Sequence, residues 1–419
     1  DPNRKIRVGY VSADFHYHSV SHFALPLIAR HNKIDFEVYC YATVQRTDVV
    51  TEQFQRESVW RQVENLRNHE LAEKIREDEI DILVDLSGHT GGNRLIAFGE
   101  KPAPIQISWL GYPFTTGLRS MDYRIVDALV EPEGAEAINT EKLLHIPGVF
   151  CAYRPSVRFP SRLVNGELDV QGLPALKNGF ITFGSCNNLV KLSDSTLLVW
   201  VRLLQQVPKS KLLIEAPNVN IDGPATALVQ RFERLGLPKE RLILSEKKNN
   251  LQYTLYNEID IALDPFPCNG GTTTCDALFM SVPVVSLSGV RFMSRIGATA
   301  LTNIGHPEWV TDSPDEYVNI AVNLAADIEQ LDHIRQKLRG EVENSPLMDE
   351  VGFTRKVERA YREMWRAWCA AQQGQHYEPD LDGASTAHAQ SHDEIVETVQ
   401  AQTNWPQLEA LQQDRKSVV

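Results

Sequence analysis

Two glycines and three threonines run together in Asn269-Gly270-Gly271-Thr272-Thr273-Thr274-Cys275-Asp276, shortly after the apolar segment Ile259–Leu263 and Asp264. At the start of a helix such a run offers backbone N–H groups, hydroxyls and the positive end of the helix dipole to a phosphate. Asp276, one turn further on, is placed to accept hydrogen bonds from ribose hydroxyls. No GxxxxGK[ST] pattern accompanies the run, so an ATPase P-loop is excluded. The plain alternative is an N-cap rich in threonine.

Three more loops carry residues of this kind. Gly184-Ser185-Cys186-Asn187-Asn188-Leu189-Val190-Lys191 ends in a lysine able to neutralise a leaving diphosphate, beside amides that can hold its oxygens. The competing reading is an ordinary surface lysine, although Asp194-Ser195-Thr196 looks like the cap of the next helix and puts Lys191 just before its N-terminus. In Ser12–His22, one of His16, His18 and His22 could act as a general base or bind a diphosphate, because imidazole titrates at about pH 6.5. Their i, i+2, i+6 spacing, without a carboxylate or cysteine at matching distance, does not make a metal site. His16 and His22 read equally as helix-capping or space-filling residues. Ser87-Gly88-His89-Thr90-Gly91-Gly92-Asn93 combines close backbone approach with donors for an anion or a sugar hydroxyl, or is a simple βα turn.

Such loops must be delivered by strands, and in doubly wound sheets ligands bind at the strands' carboxyl ends. Short, nearly continuous apolar runs at Ile6–Val11, Phe36–Tyr41, Ile82–Leu86, Ile105–Leu110 and Tyr123–Val126 predict parallel strands covered on both faces. Helical patterns lie between them near Phe23–Ala29, Val50–Ser58, His69–Glu77 and Arg94–Phe98. The alternation lapses over residues 153–178, read as a linker, and restarts with strands at Phe180–Gly184, Lys211–Glu215, Arg241–Ser245, Ile259–Leu263 and Pro283–Leu287. The interleaved helices fall near Ser195–Gln206, Thr226–Leu235, Leu251–Asn257, Thr273–Met280 and Ser294–Ile304. The expected fold is therefore α/β: two Rossmann-like doubly wound domains, residues 1–152 and 179–371, the second carrying terminal helices that end in the amphipathic run Phe353–Ala371. Residues 372–419 read as a polar, flexible tail with one helix at His392–Gln400.

Composition removes other classes. The 419 residues carry 55 acidic and 42 basic side chains, a net charge of −13, the wrong sign for a surface that binds nucleic acid. With 42% hydrophobic and 23% charged residues the chain is globular. No apolar stretch reaches membrane-span length, so no membrane association is expected. The six scattered cysteines lack zinc spacing and point to a reducing cytoplasm. The start at Asp1-Pro2-Asn3-Arg4-Lys5 shows no signal peptide and reads as that of a fragment.

From about Ile6 to Trp368 the chain resembles the catalytic region of the protein O-glycosyltransferases that include O-GlcNAc transferase and SPINDLY. The resemblance is carried, in order, by Val8-Gly9-Tyr10-Val11-Ser12, His18 with His22, Pro102-Ala103-Pro104-Ile105-Gln106, Trp109-Leu110-Gly111-Tyr112-Pro113, Met121-Asp122-Tyr123, Asn187 with Lys191, and the Gly-Thr-Thr run ending at Asp276. It implies a GT-B arrangement of the two halves around a cleft, with a nucleotide sugar held mostly by the second. It also implies a metal-independent, inverting reaction without a cofactor, and N-terminal tetratricopeptide repeats, missing here, that present protein acceptors.

Carried over residue by residue, His18 matches the histidine beside the donor sugar and diphosphate, and Lys191 the lysine that stabilises the leaving diphosphate. Thr272 and Thr273 match the phosphate-binding threonines and Asp276 the ribose-binding acid. Asn187, Asn188, Gly270, Gly271, Thr274, Arg295, His89, Thr115 and Thr116 complete the expected nucleotide-sugar site. The donor is less determined. Gly271 and Gln252 stand where O-GlcNAc transferases carry histidines, and Gly88-His89-Thr90 and Thr115-Thr116-Gly117 are similar to the SPINDLY branch, whose plant members use GDP-fucose. Arg295 matches the O-GlcNAc branch. The reading taken is transfer of GlcNAc from UDP-GlcNAc to Ser or Thr hydroxyls of proteins. Its alternatives are GDP-fucose as donor and a catalytically silent partner-binding module.

Overall fold

Apolar runs only four to seven residues long, each closed by a polar turn, are too short for packed helices, and the chain stacks them edge to edge. The structure, a computed structural model, describes residues 1–157, 168–216, 223–246 and 253–381. The first half holds β1 (Ile6–Ser12), β2 (Phe36–Ala42), β3 (Val59–Gln62), β4 (Ile82–Asp85), β5 (Ile105–Ser108), β6 (Tyr123–Val126) and β7 (Lys142–His145). They form one sheet in the order β3-β2-β1-β4-β5-β6-β7. The second half holds β8 (Thr182–Ser185), β9 (Lys211–Ala216), β10 (Leu242–Glu246), β11 (Ile261–Leu263), β12 (Val284–Leu287) and β13 (Val310–Thr311), ordered β10-β9-β8-β11-β12-β13. All the described pairings are parallel, with Tyr10 opposite both Cys40 and Val84 in the first sheet and Ala262 opposite both Gly184 and Val284 in the second. Two doubly wound α/β halves result, as expected.

Helices cover the faces. Asp194–Gln206 is representative: Leu197, Trp200, Val201 and Leu204 share a buried side and pack into a core with Phe183, Ile214, Leu263, Val285 and Tyr317. Its cap is Ser193, whose Oγ accepts from Thr196 N–H at 3.1 Å, one residue before the expected Asp194 group. Ser193 has the extended backbone a cap requires, and Asp194 is already helical.

Three strands escaped the sequence pattern. β3 is half exposed along its length, β7 has only Leu143 and Leu144 buried, and β13 is two residues long. All sit outside the fully buried central strands. Within the stretch read as a linker, Pro174–Asn178 is a short helix and residues 158–167 lie outside the described residues. The described part of the helix expected at Leu251–Asn257 is a tight 3-10 turn, Thr254–Glu258. Gln252, the helix expected at His392–Gln400 and the tail beyond residue 381 lie outside the described residues.

The final long helix corrects the expected grouping. Glu350–Gln372 follows the second sheet in sequence but packs on the first half, stacking Phe353 on Trp109 with ring centroids 6.0 Å apart. Buried His31 joins it through Tyr10 Oη at 2.7 Å and Glu358 Oε1 at 3.0 Å. Among the described residues no helix is long and apolar enough to cross a membrane.

Candidate active site

The strand order reverses between β1 and β4 in the first sheet and between β8 and β11 in the second. The four loops singled out by their chemistry are the ones that leave these four strands. Parallel sheets open a crevice at such switch points because neighbouring crossovers depart to opposite faces.

In the second half the loops after β8 and β11 close on each other. Helix Thr272–Phe279 starts at the threonine run, and its cap position is Gly271, which has no side chain to bond the first N–H groups. Thr273 Oγ1 donates to Asn187 Oδ1 at 2.9 Å, tying the two loops together. Lys191, in the tight turn Leu189–Lys191, donates from Nζ to the Asn269 carbonyl at 2.6 Å. Among the described residues Thr272 Oγ1 is buried without a hydrogen-bond partner. A buried hydroxyl without a partner is costly in a native interior, and here it stands at a helix N-terminus, three residues after the carbonyl that holds Lys191. Gly270 is required by space: a Cβ there would lie 2.3 Å from Thr274 Oγ1 and 2.7 Å from Thr273 Oγ1. Asn188 differs from its neighbour, being exposed and using Oδ1 to accept from Val190 N–H at 3.2 Å.

Both switch points also hold a buried carboxylate that no motif announced. Asp85 ends β4 and accepts from Gly88 N–H at 2.7 Å and Ser87 N–H at 3.2 Å. Asp264 follows β11 and accepts from Gly270 N–H at 2.6 Å and Ser286 Oγ at 2.7 Å. Burial pushes each up to about 6, against the pull of its donors. The sequence signal was an acid closing an otherwise apolar strand, in Val84-Asp85 and Leu263-Asp264 alike.

The first-half loops carry the histidines. His18, with 44% of its side chain exposed, has Nδ1 3.6 Å from Asp14 and accepts from Val20 N–H at 3.3 Å. Burial lowers its pKa, with Asp14 opposing, so the ring is neutral near pH 7. Asp14, which is also 4.0 Å from His16, is the carboxylate partner that the linear spacing did not reveal, since a turn of the loop brings it back. Even so, among the described residues no group of three ligating side chains could hold a metal ion. His22 is buried, stacked on Tyr153 at 5.8 Å and bonded to the Arg154 carbonyl at 2.9 Å, and it fills space as the plainer reading had it. His89 Nε2 lies 2.9 Å from the Thr116 carbonyl, and both Thr115 and Thr116 donate their hydroxyls to Glu141. These three expected ligands thus form a knot around Glu141 within the first half.

Five contacts join the halves at this edge. The Tyr153 hydroxyl donates to Asp276, which is fully buried one turn into the threonine helix. Tyr253 Oη lies 3.2 Å from the Tyr153 hydroxyl and accepts from Ser156 N–H at 2.7 Å. Arg295 donates to the Leu129 carbonyl at 2.6 Å and the Gly289 carbonyl at 2.9 Å, so it bridges the halves rather than entering the phosphate cradle. Asp127, at the end of β6, accepts from Thr299 Oγ1 at 2.7 Å.

Comparison with known proteins agrees with this geometry. The profile described as Glycosyl transferase family 41 matches residues 1–153 and 158–357. A tomato (Solanum lycopersicum) protein named "Probable UDP-N-acetylglucosamine--peptide N-acetylglucosaminyltransferase SPINDLY" is 38% identical over 88% of this chain and 39% of its own length. The Arabidopsis thaliana protein of the same enzyme name with the suffix SEC is 31% identical over 90% of this chain and 39% of its own. The chain therefore spans about two fifths of the length of these curated relatives. Among solved structures, a mutant of the Thermobaculum terrenum O-GlcNAc transferase superposes with a TM-score of 0.81 at 36% identity, covering 89% of this chain and 70% of that one.

Proposed function

The chain belongs to glycosyl transferase family 41, and from that premise we propose that it transfers GlcNAc from UDP-GlcNAc to Ser or Thr hydroxyls of protein acceptors. One observation carries the reading: Lys191, the Thr272 hydroxyl, which has no partner among the described residues, and the start of helix Thr272–Phe279, which lacks a side-chain cap from Gly271, converge at the switch point of the second sheet. That set suits the negative charge that builds on a departing diphosphate. The names of the relatives supply the sugar and the acceptor class.

In this reading the diphosphate lies on the threonine helix, with Lys191 and backbone N–H groups stabilising the charge that develops as the C1–oxygen bond breaks. The acceptor hydroxyl attacks from the opposite face, inverting the anomeric carbon, and no metal is needed because the lysine and the helix supply the positive charge. Asp276 holds the ribose once the Tyr153 hydroxyl shares or yields its carboxylate. His18, neutral and partly exposed, is the basic side chain of the first half nearest this chemistry in role. Replacing Lys191 by Ala is expected to lower transfer to an acceptor peptide on the order of 10² or more with the fold unchanged. Unchanged turnover would remove the leaving-group role.

GDP-fucose stands as a second reading because of Gly271. A Cβ added there meets nothing within 4 Å, so space is open at the position where the O-GlcNAc transferases carry a histidine. Thermal unfolding with UDP and with GDP separates the two. A nucleotide at 100 times its Kd adds about 2.7 kcal/mol, and only the matching one should raise the melting temperature.

A further inference from the structure

We infer that Asp264 is a positioning residue for Lys191, acting through the single peptide unit between Asn269 and Gly270. The inference rests on the reading of Lys191 as the group that stabilises the diphosphate. Asp264 is 1% exposed and follows β11 directly. Its Oδ1 accepts from Gly270 N–H at 2.6 Å and faces Thr274 Oγ1 at 3.4 Å, and its Oδ2 accepts from Ser286 Oγ at 2.7 Å. Its own backbone is held from two sides, N–H to the Val285 carbonyl at 3.0 Å and carbonyl from Tyr317 Oη at 3.1 Å. The carboxylate is thus a fixed point.

The peptide unit whose N–H it holds is the unit whose carbonyl accepts from Lys191 Nζ at 2.6 Å. A peptide is planar and trans, so fixing the direction of its N–H fixes that of its C=O. The other end of the unit is equally constrained: Asn269 is fully buried, its N–H donates to the Met293 carbonyl at 2.9 Å, and its amide donates to the Pro265 carbonyl at 3.0 Å. Lysine has a long, rotatable side chain whose ordering costs entropy. A carbonyl aimed in advance, with a buried negative charge one peptide behind it, confines the ammonium beside the start of the threonine helix. Asp264 is buried behind that peptide, so its hydrogen bonds orient Lys191 through this relay while its charge adds a direct Coulombic pull.

The experiment is a double-mutant cycle on the full chain, reading UDP affinity by titration calorimetry, or GDP affinity if GDP is the nucleotide that raises the melting temperature. D264A is expected to weaken binding about tenfold or more, the scale of one charged hydrogen bond. D264N should stay within about threefold of wild type, because its Oδ1 still accepts from Gly270 N–H and its amide can donate to Ser286 Oγ. D264A/K191A should bind no more weakly than K191A alone. If K191A weakens binding and D264A weakens it further by the same factor in both backgrounds, the relay is wrong and Lys191 keeps its role. A D264N as damaged as D264A also overturns it, and D264N tests the relay even if D264A fails to fold. If K191A leaves affinity and turnover unchanged, the leaving-group reading falls and this inference with it.

Discussion

At Asp264 two forces oppose each other: burial disfavours the carboxylate, while three N–H or O–H donors and nearby Lys191 favour it, leaving it at about 6. An unfolded aspartate titrates at about 3.9. Between those values the native state keeps a proton that the unfolded state has released. This contribution to stability is full below about pH 4 and is lost as the pH rises towards 6, by up to about 1.4 kcal/mol per pH unit. Asparagine cannot titrate, so D264N should gain on wild type between pH 4 and pH 7 when both are unfolded in urea. A difference that does not change with pH would show that the carboxylate is not held near 6. Lys191, Thr272 and Asp276 stand out in the sequence because phosphate and ribose chemistry would use those residue types next to a helix start. Asp264 and Tyr153 were not, since an aspartate after a strand and a tyrosine in a presumed linker have many uses, and only their partners select one.

At the scale of elements, the strands that could be read from the sequence are those covered on both faces, where an unbroken apolar run is compulsory. β3 and β7 gain their structure from pairing with a buried neighbour, so their own residues carry little pattern. Loops after β4 and β5 are pressed together more tightly than turn propensity conveys. A Cβ on Gly111 would sit 1.8 Å from the Leu86 carbonyl oxygen, and one on Gly88, at φ +52, only 2.2 Å from Tyr112 Cβ. Glycine at these two positions is therefore a steric requirement of the switch point in the first sheet. G111A is expected to cost about 1–3 kcal/mol, the usual range for overpacking, measured as a lower urea midpoint at unchanged m-value. No loss would mean that the two loops can separate cheaply.

For the molecule as a whole, helix Glu350–Gln372 is the strap that makes the chain order differ from the packing order. Its Glu350 accepts two hydrogen bonds from Arg154, each 2.6 Å, and a third from Arg30 at 2.9 Å, so burial of this carboxylate is outweighed and its pKa is lowered. Phe353, 2% exposed against Trp109, anchors the same end. F353A should cost about 3–5 kcal/mol, read from denaturant unfolding, with the loss falling on the first half although the residue comes after the second. A loss confined to the second half would show that the helix belongs there. The net charge of −13 also takes on a spatial meaning. In the proposed reading the attraction for a diphosphate is local, made by Lys191 and one helix N-terminus.

The sequence by itself determined the alternation of strands and helices, the two halves, and the four loops where polar chemistry gathers. Parallel strands must be apolar runs and their exits must be polar, and both constraints act over a few neighbouring residues. Only the tertiary structure decided which loops meet, that Arg295 is spent between Leu129 and Gly289, that Thr115 and Thr116 serve Glu141, and that Tyr153 engages Asp276. Tyr153 and Asp276 are 123 positions apart, and Arg295 and Leu129 are 166. Contacts over such separations are set by how the sheets dock, a property of the packed core that no local run of residues carries.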